Sequence, residues 1–409
     1  MDFDYGIIGG GPAGYTAGLA LAKQGFKVII FEKDKIGGTC LNRGCIPTKT
    51  LLHLSEQYRK VLDLEEFGLK IDISNFDFQK IVEKREKIIE RIQKNLELAL
   101  KNSKITIIYE EAKVINSMTI LADKEYKVNN IIVATGSKPK EIKGLEYDNE
   151  FILSSDEILK LNKLPKSILI VGSGAIGIES ARIFSNFGVD TTIVEKEEHL
   201  IPTADIEVSK RIERIFKQHN IKIYTNDSIQ KIYNKTVTLA SGREVNPEVI
   251  LIAIGRTPIS FNTNQCQTIG DACGEIQLAH FAIHQAFNLT RFKSTSYDKN
   301  LIPFVIYGEP EIAWVGLREQ DCDEKCDKIM LPISALGKSW CDDSTEGFIK
   351  IIVKEERIVG AHIVSKEASA LIHQILIAMQ NNINIDNLKK ICFAHPTYSE
   401  GILETLLRL

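Results

Sequence analysis

A chain of 409 residues exceeds what one hydrophobic core usually serves, so two or three domains are expected. Apolar residues make up 44% of the sequence and charged residues 26%, ordinary values for a globular protein. The net charge of −3 argues against a protein that binds nucleic acid through an overall positive charge. No apolar run reaches the ~20 residues of a membrane span. The first residues lack the charged and then apolar pattern of a signal peptide. We therefore expect a cytoplasmic protein that binds neither nucleic acid nor membrane.

The first predicted elements belong to a pattern that occurs twice, 163 residues apart. An apolar strand over 3–8 enters GGGPAG, a helix follows, and a strand over 26–31 ends at Glu32. The second copy runs from ILIVG through GSGAIG to a strand that ends at Glu195. In such a unit the glycines permit a tight turn, a close approach of backbone to a pyrophosphate, and close helix–strand packing. The pyrophosphate then lies on the amides of the helix N-terminus.

Two dinucleotides are therefore predicted to bind this chain, one at each copy. Each terminal acid can accept hydrogen bonds from a ribose diol. Glu195 would repel a 2′-phosphate, so the second copy favours NAD over NADP. The residues assigned to the two nucleotides are Gly9, Gly11, Pro12, Ala13, Gly14 and Glu32 for the first, and Gly172, Gly174, Ala175, Ile176, Gly177 and Glu195 for the second.

Cys40 and Cys45 form a close pair directly after the first copy, whereas the other six cysteines are scattered or lack partners. In a reducing compartment such a pair indicates catalysis or metal binding, and two inert buried thiols are the alternative. Residues five apart in an ideal helix have Cα atoms about 8.7 Å apart. A disulfide needs about 4.4–6.8 Å, so a bond requires a distorted turn, which Gly44 and Pro47 would tolerate. Cys322 and Cys326 have no further ligands nearby, and we predict no metal site.

The later elements in chain order complete two nucleotide units and a third domain. Strands over 129–137 and 247–256 each end in a glycine turn. Before the first of these strands, the apolar spacing over 80–103 predicts a long amphipathic helix that connects other elements. After Pro303, alternating strands and helices indicate an α+β domain.

GGTCLNRGCIPTK resembles the redox-active segment of the class I pyridine nucleotide–disulfide oxidoreductases, and its CLNxGCIPxK form is most similar to the dihydrolipoamide dehydrogenase group. The motifs GGGPAG, ATGS, GSGAIGIE, AIGRTP, IGDA, LAH, EPEIAWVG and AHPTYSE extend the resemblance over nearly the whole chain. It implies an α/β fold with two Rossmann-like domains, for FAD and NAD, plus a C-terminal α+β dimerisation domain. The domain limits we predict are 1–142 (FAD, first part), 143–258 (NAD), 259–300 (FAD, return segment) and 301–409 (interface).

The resemblance also implies roles for individual residues. Cys40 would meet the substrate, and Cys45 would lie against the flavin. Lys49, ion-paired with Glu179, would lie near flavin N5. The further residues implied for the cofactors are Lys33, Gly38, Thr39, Ala112, Thr135, Gly136, Asp271 and Ala279 for FAD, and Ala253, Gly255 and Arg256 for NAD.

AHPTYSE contributes His395 and Glu400, a spacing that permits a base and its orienting carboxylate. By resemblance this dyad serves the active site of the other subunit of a homodimer. The implied reaction is the oxidation of protein-bound dihydrolipoamide by NAD⁺ on the lipoyl domain of a 2-oxoacid dehydrogenase or glycine-cleavage complex. The alternatives are another FAD disulfide reductase, similar to glutathione or mercuric reductase, and a trimmed non-catalytic subunit.

The segment 256–270 departs from the family pattern. Only 15 residues lie between Gly255 and Asp271, too few for a pair of ordinary strands of ~5–6 residues plus turns. Apolar residues are also missing just before IGDA, where NQCQT stands. Either the enzyme tolerates a trimmed junction between its nucleotide domains, or its FAD binding is weakened.

Overall fold

A computed structural model describes residues 2–71, 76–259 and 266–409 of the chain. The first sheet contains the first glycine-rich copy, and β1 lies between β2 and β6, parallel to both. All four residues of β2 are buried, as expected for a parallel strand covered on both faces. In chain order the elements are β1 (Phe3–Ile8), α1 (Pro12–Lys23), β2 (Val28–Phe31), α2 (Gly38–Arg43), α3 (Cys45–Asp63), α4 (Phe78–Asn102), β3 (Thr106–Ile108), β4 (Lys113–Asn116), β5 (Thr119–Leu121) and β6 (Glu125–Val133).

The second sheet repeats this plan around β9, which lies between β10 and β15 and is parallel to both. Helix α5 has the same length as α1, 12 residues, and begins 163 residues later, so the internal repeat predicted from the sequence is confirmed. The second sheet has the order β11-β10-β9-β15-β8, and two smaller sheets, β12-β13-β14 and β16-β7, lie in the same part of the chain. The elements of this part are β7 (Ser137–Pro139), β8 (Ile152–Leu153), β9 (Ser167–Val171), α5 (Ala175–Asn186), β10 (Asp190–Val194), α6 (Ile206–Gln218), β11 (Lys222–Tyr224), β12 (Ile229–Tyr233), β13 (Thr236–Leu239), β14 (Glu244–Val245), β15 (Val249–Ile252) and β16 (Arg256–Pro258).

The rest of the chain first returns to the first sheet and then forms a third, antiparallel one, ordered β18-β19-β22-β21-β20. Helices α9 and α11 pack against this third sheet and share an apolar core with it. The elements are β17 (Gln267–Thr268), α7 (Ala279–Phe292), β18 (Phe304–Ile306), β19 (Glu311–Gly316), β20 (Asp327–Pro332), α8 (Gly337–Cys341), β21 (Phe348–Lys354), β22 (Arg357–Ser365), α9 (Ala368–Gln380), α10 (Ile385–Leu388) and α11 (Glu400–Leu406).

The shortened junction holds two abbreviated strands. β16 has three residues and pairs with β7, and β17 has two residues and pairs in parallel with β6. Residues 260–265 of this junction lie outside the described residues. After β17, the buried side-chain oxygen of Gln285 accepts a hydrogen bond from Gly270 N at 2.8 Å. This bond fixes the turn that presents Asp271, even though the strand before it is short.

A buried ion pair joins the second sheet's layer to the third sheet. Lys350 Nζ on β21 lies 2.7 Å from the carboxylate of Asp205, and both side chains are at most 3% exposed. Asp205 also caps α6 by accepting from Glu207 N, and it accepts a further bond from Glu319 N at 2.8 Å. A buried charge of this kind needs such a full set of partners. Within the described ranges, none of the helices has the length and apolar character needed to cross a membrane.

Candidate active site between the three sheets

The two glycine-rich turns pack their helices against their strands in the same way. A Cβ at Gly14 would lie 1.8 Å from Gly9 O, and a Cβ at Gly177 would lie 2.0 Å from Gly172 O. Both distances are far below any van der Waals contact. The third glycine of each motif is therefore required by close packing, the role that the sequence predicts for it.

The acids that end the second strands are bonded to the glycine turns. Glu32 accepts hydrogen bonds from Gly10 N at 2.8 Å and Asp34 N at 2.9 Å. Glu195 accepts from Ser173 N at 2.8 Å and from Ser173 Oγ at 2.6 Å. Both acids are over 90% buried. They therefore hold the turns in shape, a role that sequence reasoning did not assign to them.

One large cavity of about 800 Å³ lies between the first sheet, α3, α5, α7 and the turn after β18. It brings together side chains and backbone from segments more than 200 residues apart in sequence. The predicted site residues that line it are Gly9, Gly11, Pro12, Ala13, Glu32, Lys33, Gly38, Thr39, Cys40, Cys45, Lys49, Ala112, Thr135, Gly136, Ala175, Ile176, Glu179, Arg256, Asp271 and Ala279. The predicted residues that lie outside it are Gly14, Gly172, Gly174, Gly177, Glu195, Ala253, Gly255, His395 and Glu400.

The helical conformation between Cys40 and Cys45 is interrupted at Gly44, where α2 ends and α3 begins. A Cβ at Gly44 would come within 2.9 Å of Thr39 O, so a side chain does not fit there. The distorted turn that the sequence predicts at this position is confirmed. Pro47 lies in the first turn of α3, where the missing N–H has no helical partner to lose. Both cysteines are free thiols in this structure.

The two thiols differ in acidity because they affect each other's pKa in opposite directions. Hydrogen bonding from Cys40, aided by the charge of Lys49, lowers the pKa of Cys45 to about 7 against the opposing effect of burial. The same hydrogen bond, together with burial, raises the pKa of Cys40. Cys45 also occupies the N-terminal position of α3, where helix amides favour a thiolate. Above about pH 7 the reduced pair therefore holds one proton, and Cys45 carries the negative charge.

Lys49 lies one helical turn after Cys45 and is paired with Glu179. Its Nζ is 2.7 Å from Glu179 Oε2, and the Glu179 side chain is 3% exposed. Burial acts to lower the pKa of Lys49, but the charge and hydrogen bond of Glu179 outweigh it, so the pKa is raised. The other oxygen of Glu179 accepts from Tyr307 N at 3.1 Å, and Lys49 Nζ lies 4.9 Å from the Tyr307 ring centroid. A fixed positive charge thus faces the thiolate.

His395 and Glu400 form the predicted hydrogen-bonded pair. His395 Nδ1 lies 3.1 Å from each carboxylate oxygen of Glu400, and Glu400 is the first residue of α11. The histidine side chain is 76% exposed, while that of Glu400 is 16% exposed. A mostly buried carboxylate therefore orients an imidazole that points away from its own chain. The pair does not line the cavity that contains Cys40 and Cys45 of the same chain.

Two further residues of the site were not singled out from the sequence. Ser137 Oγ donates to Asp271 at 2.6 Å and accepts from Arg256 Nε at 2.8 Å, so it links two predicted nucleotide-binding residues. Ser137 is the last residue of the ATGS motif, and its position after Gly136 is the only feature of the sequence that points to a role in the site. Tyr307 lines the cavity beside Lys49, and no pattern in the sequence separates it from the other tyrosines.

Two family models match the chain. Residues 3–286 match the pyridine nucleotide–disulphide oxidoreductase model, and residues 302–406 match the dimerisation domain of the same family. The chain belongs to this family. It is therefore an oxidoreductase, and its fold class and its use of FAD and a nicotinamide dinucleotide, predicted from the sequence, are confirmed. The dimerisation domain supports a homodimer.

Among the members of this family, dihydrolipoyl dehydrogenases from Bacillus subtilis and Chlamydia pneumoniae are 30% and 31% identical to the chain. The alignments cover 99% and 98% of this chain and 98% and 95% of those proteins. The Bacillus alignment runs over 466 positions, so that relative has segments that this chain of 409 residues lacks. The crystal structure of LpdA from Mycobacterium tuberculosis shares the fold, with a TM-score of 0.91 and 23% identity over 99% of both chains.

The residues at the first glycine-rich turn fit the FAD that the family uses. Gly38 lies against Gly11 so closely that a Cβ there would be 2.6 Å from Gly11 Cα. This leaves two bare stretches of backbone facing the cavity, next to the N-terminus of α1. Bare backbone amides at a helix N-terminus are the groups that bind a pyrophosphate. Side chains at these positions would fill the space.

Proposed function

We propose that this protein oxidises dihydrolipoamide with NAD⁺ through a disulfide formed by Cys40 and Cys45. The observation that carries the proposal is the thiol pair on either side of the break between α2 and α3, with Lys49 and Glu179 beside it in a cavity lined by the first glycine-rich turn. Relatives that align over nearly the whole chain are dihydrolipoyl dehydrogenases. The predicted catalytic residues all have chemical partners, which argues against a trimmed subunit without activity.

In the proposed reaction, a thiolate of the substrate attacks the sulfur of Cys40 and forms a mixed disulfide. The Cys40–Cys45 bond breaks, and Cys45 leaves as a thiolate. Its low pKa makes it a good leaving group, and Lys49 stabilises the charge. The second substrate thiol then attacks the substrate sulfur of the mixed disulfide and displaces Cys40, which takes up the proton that this thiol loses, and the substrate is released as a disulfide. Bound FAD supplies the route by which the electron pair reaches NAD⁺.

The proton chemistry is assigned to His395 and Glu400 of the partner subunit. The imidazole is exposed and oriented through Nδ1, so Nε2 is free to take a proton from a substrate thiol. The pair lies outside its own chain's cavity, so we assign it to the cavity of the partner subunit. This is the reason for proposing that the homodimer is the active unit.

For the nicotinamide nucleotide we propose NAD rather than NADP. Glu195 is ionisable, buried and fixed by Ser173 at the end of β10, where the second ribose of a dinucleotide lies in this type of fold. The 2′-phosphate of NADP on that ribose would be repelled by the Glu195 carboxylate, whose position is fixed by its hydrogen bonds to Ser173. We also propose a cytoplasmic location and a lipoyl domain of a 2-oxoacid dehydrogenase or glycine-cleavage complex as the partner.

The second glycine-rich turn permits a test that separates folding from nucleotide binding. Gly177→Ala is expected to lower the free energy of unfolding by roughly 2–4 kcal/mol, since its Cβ would overlap Gly172 O. Gly174→Ala has nothing within 4 Å of the added Cβ and should leave stability unchanged while weakening NAD⁺ affinity. Denaturant unfolding and NAD⁺ titration measure the two effects. Equal stability of the two variants would contradict the packing role of Gly177.

The pH dependence of the reduced thiol pair is a second test in this site. The hydrogen bond from Cys40 and the charge of Lys49 give Cys45 a pKa of about 7, below that of an ordinary thiol. Above that pH the Cys45 thiolate is present, and below it the thiolate is lost. Alkylation of Cys45 in reduced protein should therefore rise with pH around a midpoint near 7. A midpoint near that of free cysteine, ~8.5, would contradict the assigned charge.

The direct test of the proposed reaction compares two substrate pairs on purified protein. We expect turnover with dihydrolipoamide and NAD⁺, and no turnover with glutathione disulfide and NADPH. Preference for the second pair would replace this proposal with a glutathione-reductase-like function. A colourless protein inactive with both pairs would favour a non-catalytic subunit.

A further inference from the structure

Arg256 is a charged side chain that lies at the junction between the two nucleotide units. It begins β16, which pairs antiparallel with β7, so the strand that leaves the second sheet runs beside the strand that leaves the first. Its side chain is 12% exposed and lines the same cavity as the first glycine-rich turn. A guanidinium with so little exposure needs hydrogen-bond acceptors and a counter-charge.

The guanidinium has these partners on β7 and on the loop after β8. Arg256 Nε donates to Ser137 Oγ, and Nη2 donates to Ser137 O, both at 2.8 Å. Nη1 donates to Ser155 Oγ at 3.2 Å and lies 3.5 Å from Asp156 Oδ1. All three nitrogens therefore contact acceptors of the protein, which hold the planar guanidinium in one orientation. The other oxygen of Asp156 lies 3.3 Å from Arg43 Nε, so this carboxylate has a second counter-ion.

The hydrogen bond from Arg256 fixes the direction of the next hydrogen bond. Arginine has donors and no acceptor, so Ser137 Oγ accepts from Arg256 Nε. A hydroxyl has a single proton, and the proton of Ser137 is then donated to Asp271 Oδ2, 2.6 Å away. Arg256 therefore polarises the hydroxyl that holds Asp271, and hydrogen bonds in such a chain strengthen one another. The other oxygen of Asp271, Oδ1, is the one that a ligand in the cavity can meet.

Asp271 follows the shortened junction and lies close to the first glycine-rich turn. The residue before it, Gly270, packs so tightly against α1 that a Cβ there would lie 3.0 Å from Ala13 Cβ. The strand that leads to this turn, β17, pairs with β6 through only two residues. Gln285 holds the backbone of the turn, and Ser137 holds the Asp271 side chain. Because β17 is so short, the position of the carboxylate depends on these side-chain hydrogen bonds.

We propose that Arg256 and Ser137 are positioning residues for FAD, which act through Asp271. The resemblance assigns Arg256 to NAD, but its three nitrogens already contact groups of the protein. Arg256 orients the Ser137 hydroxyl, and this hydroxyl orients the Asp271 carboxylate, which lines the cavity of the first nucleotide unit. The inference concerns FAD, which this family uses, and does not depend on the disulfide substrate.

The test measures how fast FAD leaves the purified dimeric holoenzyme after dilution, read as free flavin that passes an ultrafiltration membrane. Ser137→Ala and Arg256→Met are each expected to release FAD about tenfold faster than wild type, the effect of losing one hydrogen bond to a charged group. The double variant should stay near tenfold, since both changes break the same chain of hydrogen bonds, whereas independent effects would multiply to about a hundredfold. Arg214→Met is the matched control and should release FAD at the wild-type rate, because Arg214 is an exposed residue of α6 paired with Glu346.

The NAD⁺ affinity of the FAD-saturated variants, measured by calorimetric titration, separates this role from a general disturbance of the junction. We expect the wild-type value, because both a disturbed junction and a direct contact of Arg256 with NAD would weaken it. If Arg256→Met does not fold, Arg256→Lys takes its place with the same expected outcomes, because lysine keeps the charge but lacks the fork that meets both atoms of Ser137.

Faster FAD release by both single variants, no further increase in the double variant and unchanged NAD⁺ affinity support the inference. FAD release at the wild-type rate by either single variant would overturn it, as would multiplied effects in the double variant. A fall in NAD⁺ affinity as large as the change in FAD release would also overturn it. No readout uses dihydrolipoamide, so absent lipoamide turnover in the wild type would contradict the proposed function alone.

Discussion

Cys45→Ser is expected to abolish NAD⁺ reduction by dihydrolipoamide, with a loss of at least ~10⁴-fold in turnover. Serine forms no disulfide and accepts no electron pair, so the step that releases the oxidised substrate has no acceptor. The side chain lies at the start of α3 and is not part of the glycine-rich turn that faces the same cavity. FAD content should therefore remain at the wild-type level. Turnover and flavin absorbance of the purified variant measure the two properties.

Cys341→Ser is the matched control for this variant, since Cys341 is an exposed free thiol on α8, outside the cavity. It should leave turnover unchanged. Normal lipoamide turnover by Cys45→Ser would refute the disulfide mechanism. Loss of FAD from Cys45→Ser would show instead that the thiol contributes to cofactor binding, and the kinetic result would then say nothing about electron transfer.

Mixed dimers are expected to recover activity that neither parent variant has. In Cys45→Ser the disulfide is lost but His395 is intact, and His395→Gln has the reverse defect. His395→Gln alone should lose about 10²–10⁴-fold in turnover because the general base is gone. If the histidine serves the partner's disulfide, a dimer of one subunit of each kind contains one complete site. Random reassociation should then give about one quarter of wild-type turnover.

The measurement is the turnover of the two variants refolded together, compared with each refolded alone. Wild-type protein put through the same procedure sets the scale. If the mixture is no more active than the sum of the separate variants, His395 does not act across the dimer. The exposed imidazole, oriented by a mostly buried Glu400 outside its own cavity, is the geometric basis for the expected recovery.

Much of the fold follows from features that repeat or alternate in the sequence. The 163-residue offset identified both nucleotide units because each needs the same glycine spacing for the same packing reason. The long helix predicted over 80–103 is α4, Phe78–Asn102, since its apolar spacing has helical period. The distortion between the cysteines was also predictable, from the distance limit on a disulfide.

Other features of the site depend on tertiary contacts that no local pattern encodes. The position of Glu195 predicts that it faces a ribose, but its hydrogen bonds to Ser173 depend on the folded shape of the glycine-rich turn, which the residue spacing does not specify. Tyr307 reaches Lys49 because β18 ends beside α3, although 258 positions separate the two residues in the numbering. The burial of Arg182 next to Gly308 likewise results from the packing of α5 against the third sheet's first strand. These relations join segments from different units of the fold.

The central claim is that Cys40 and Cys45 cycle between a disulfide and a thiol–thiolate pair as substrate and NAD⁺ are turned over. Differential alkylation of the two cysteines under anaerobic conditions tests this most directly. We expect both cysteines to be protected in the oxidised protein, one equivalent of dihydrolipoamide to make both reactive, and excess NAD⁺ to restore protection. Equal labelling of Cys40 and Cys45 before and after dihydrolipoamide would contradict it.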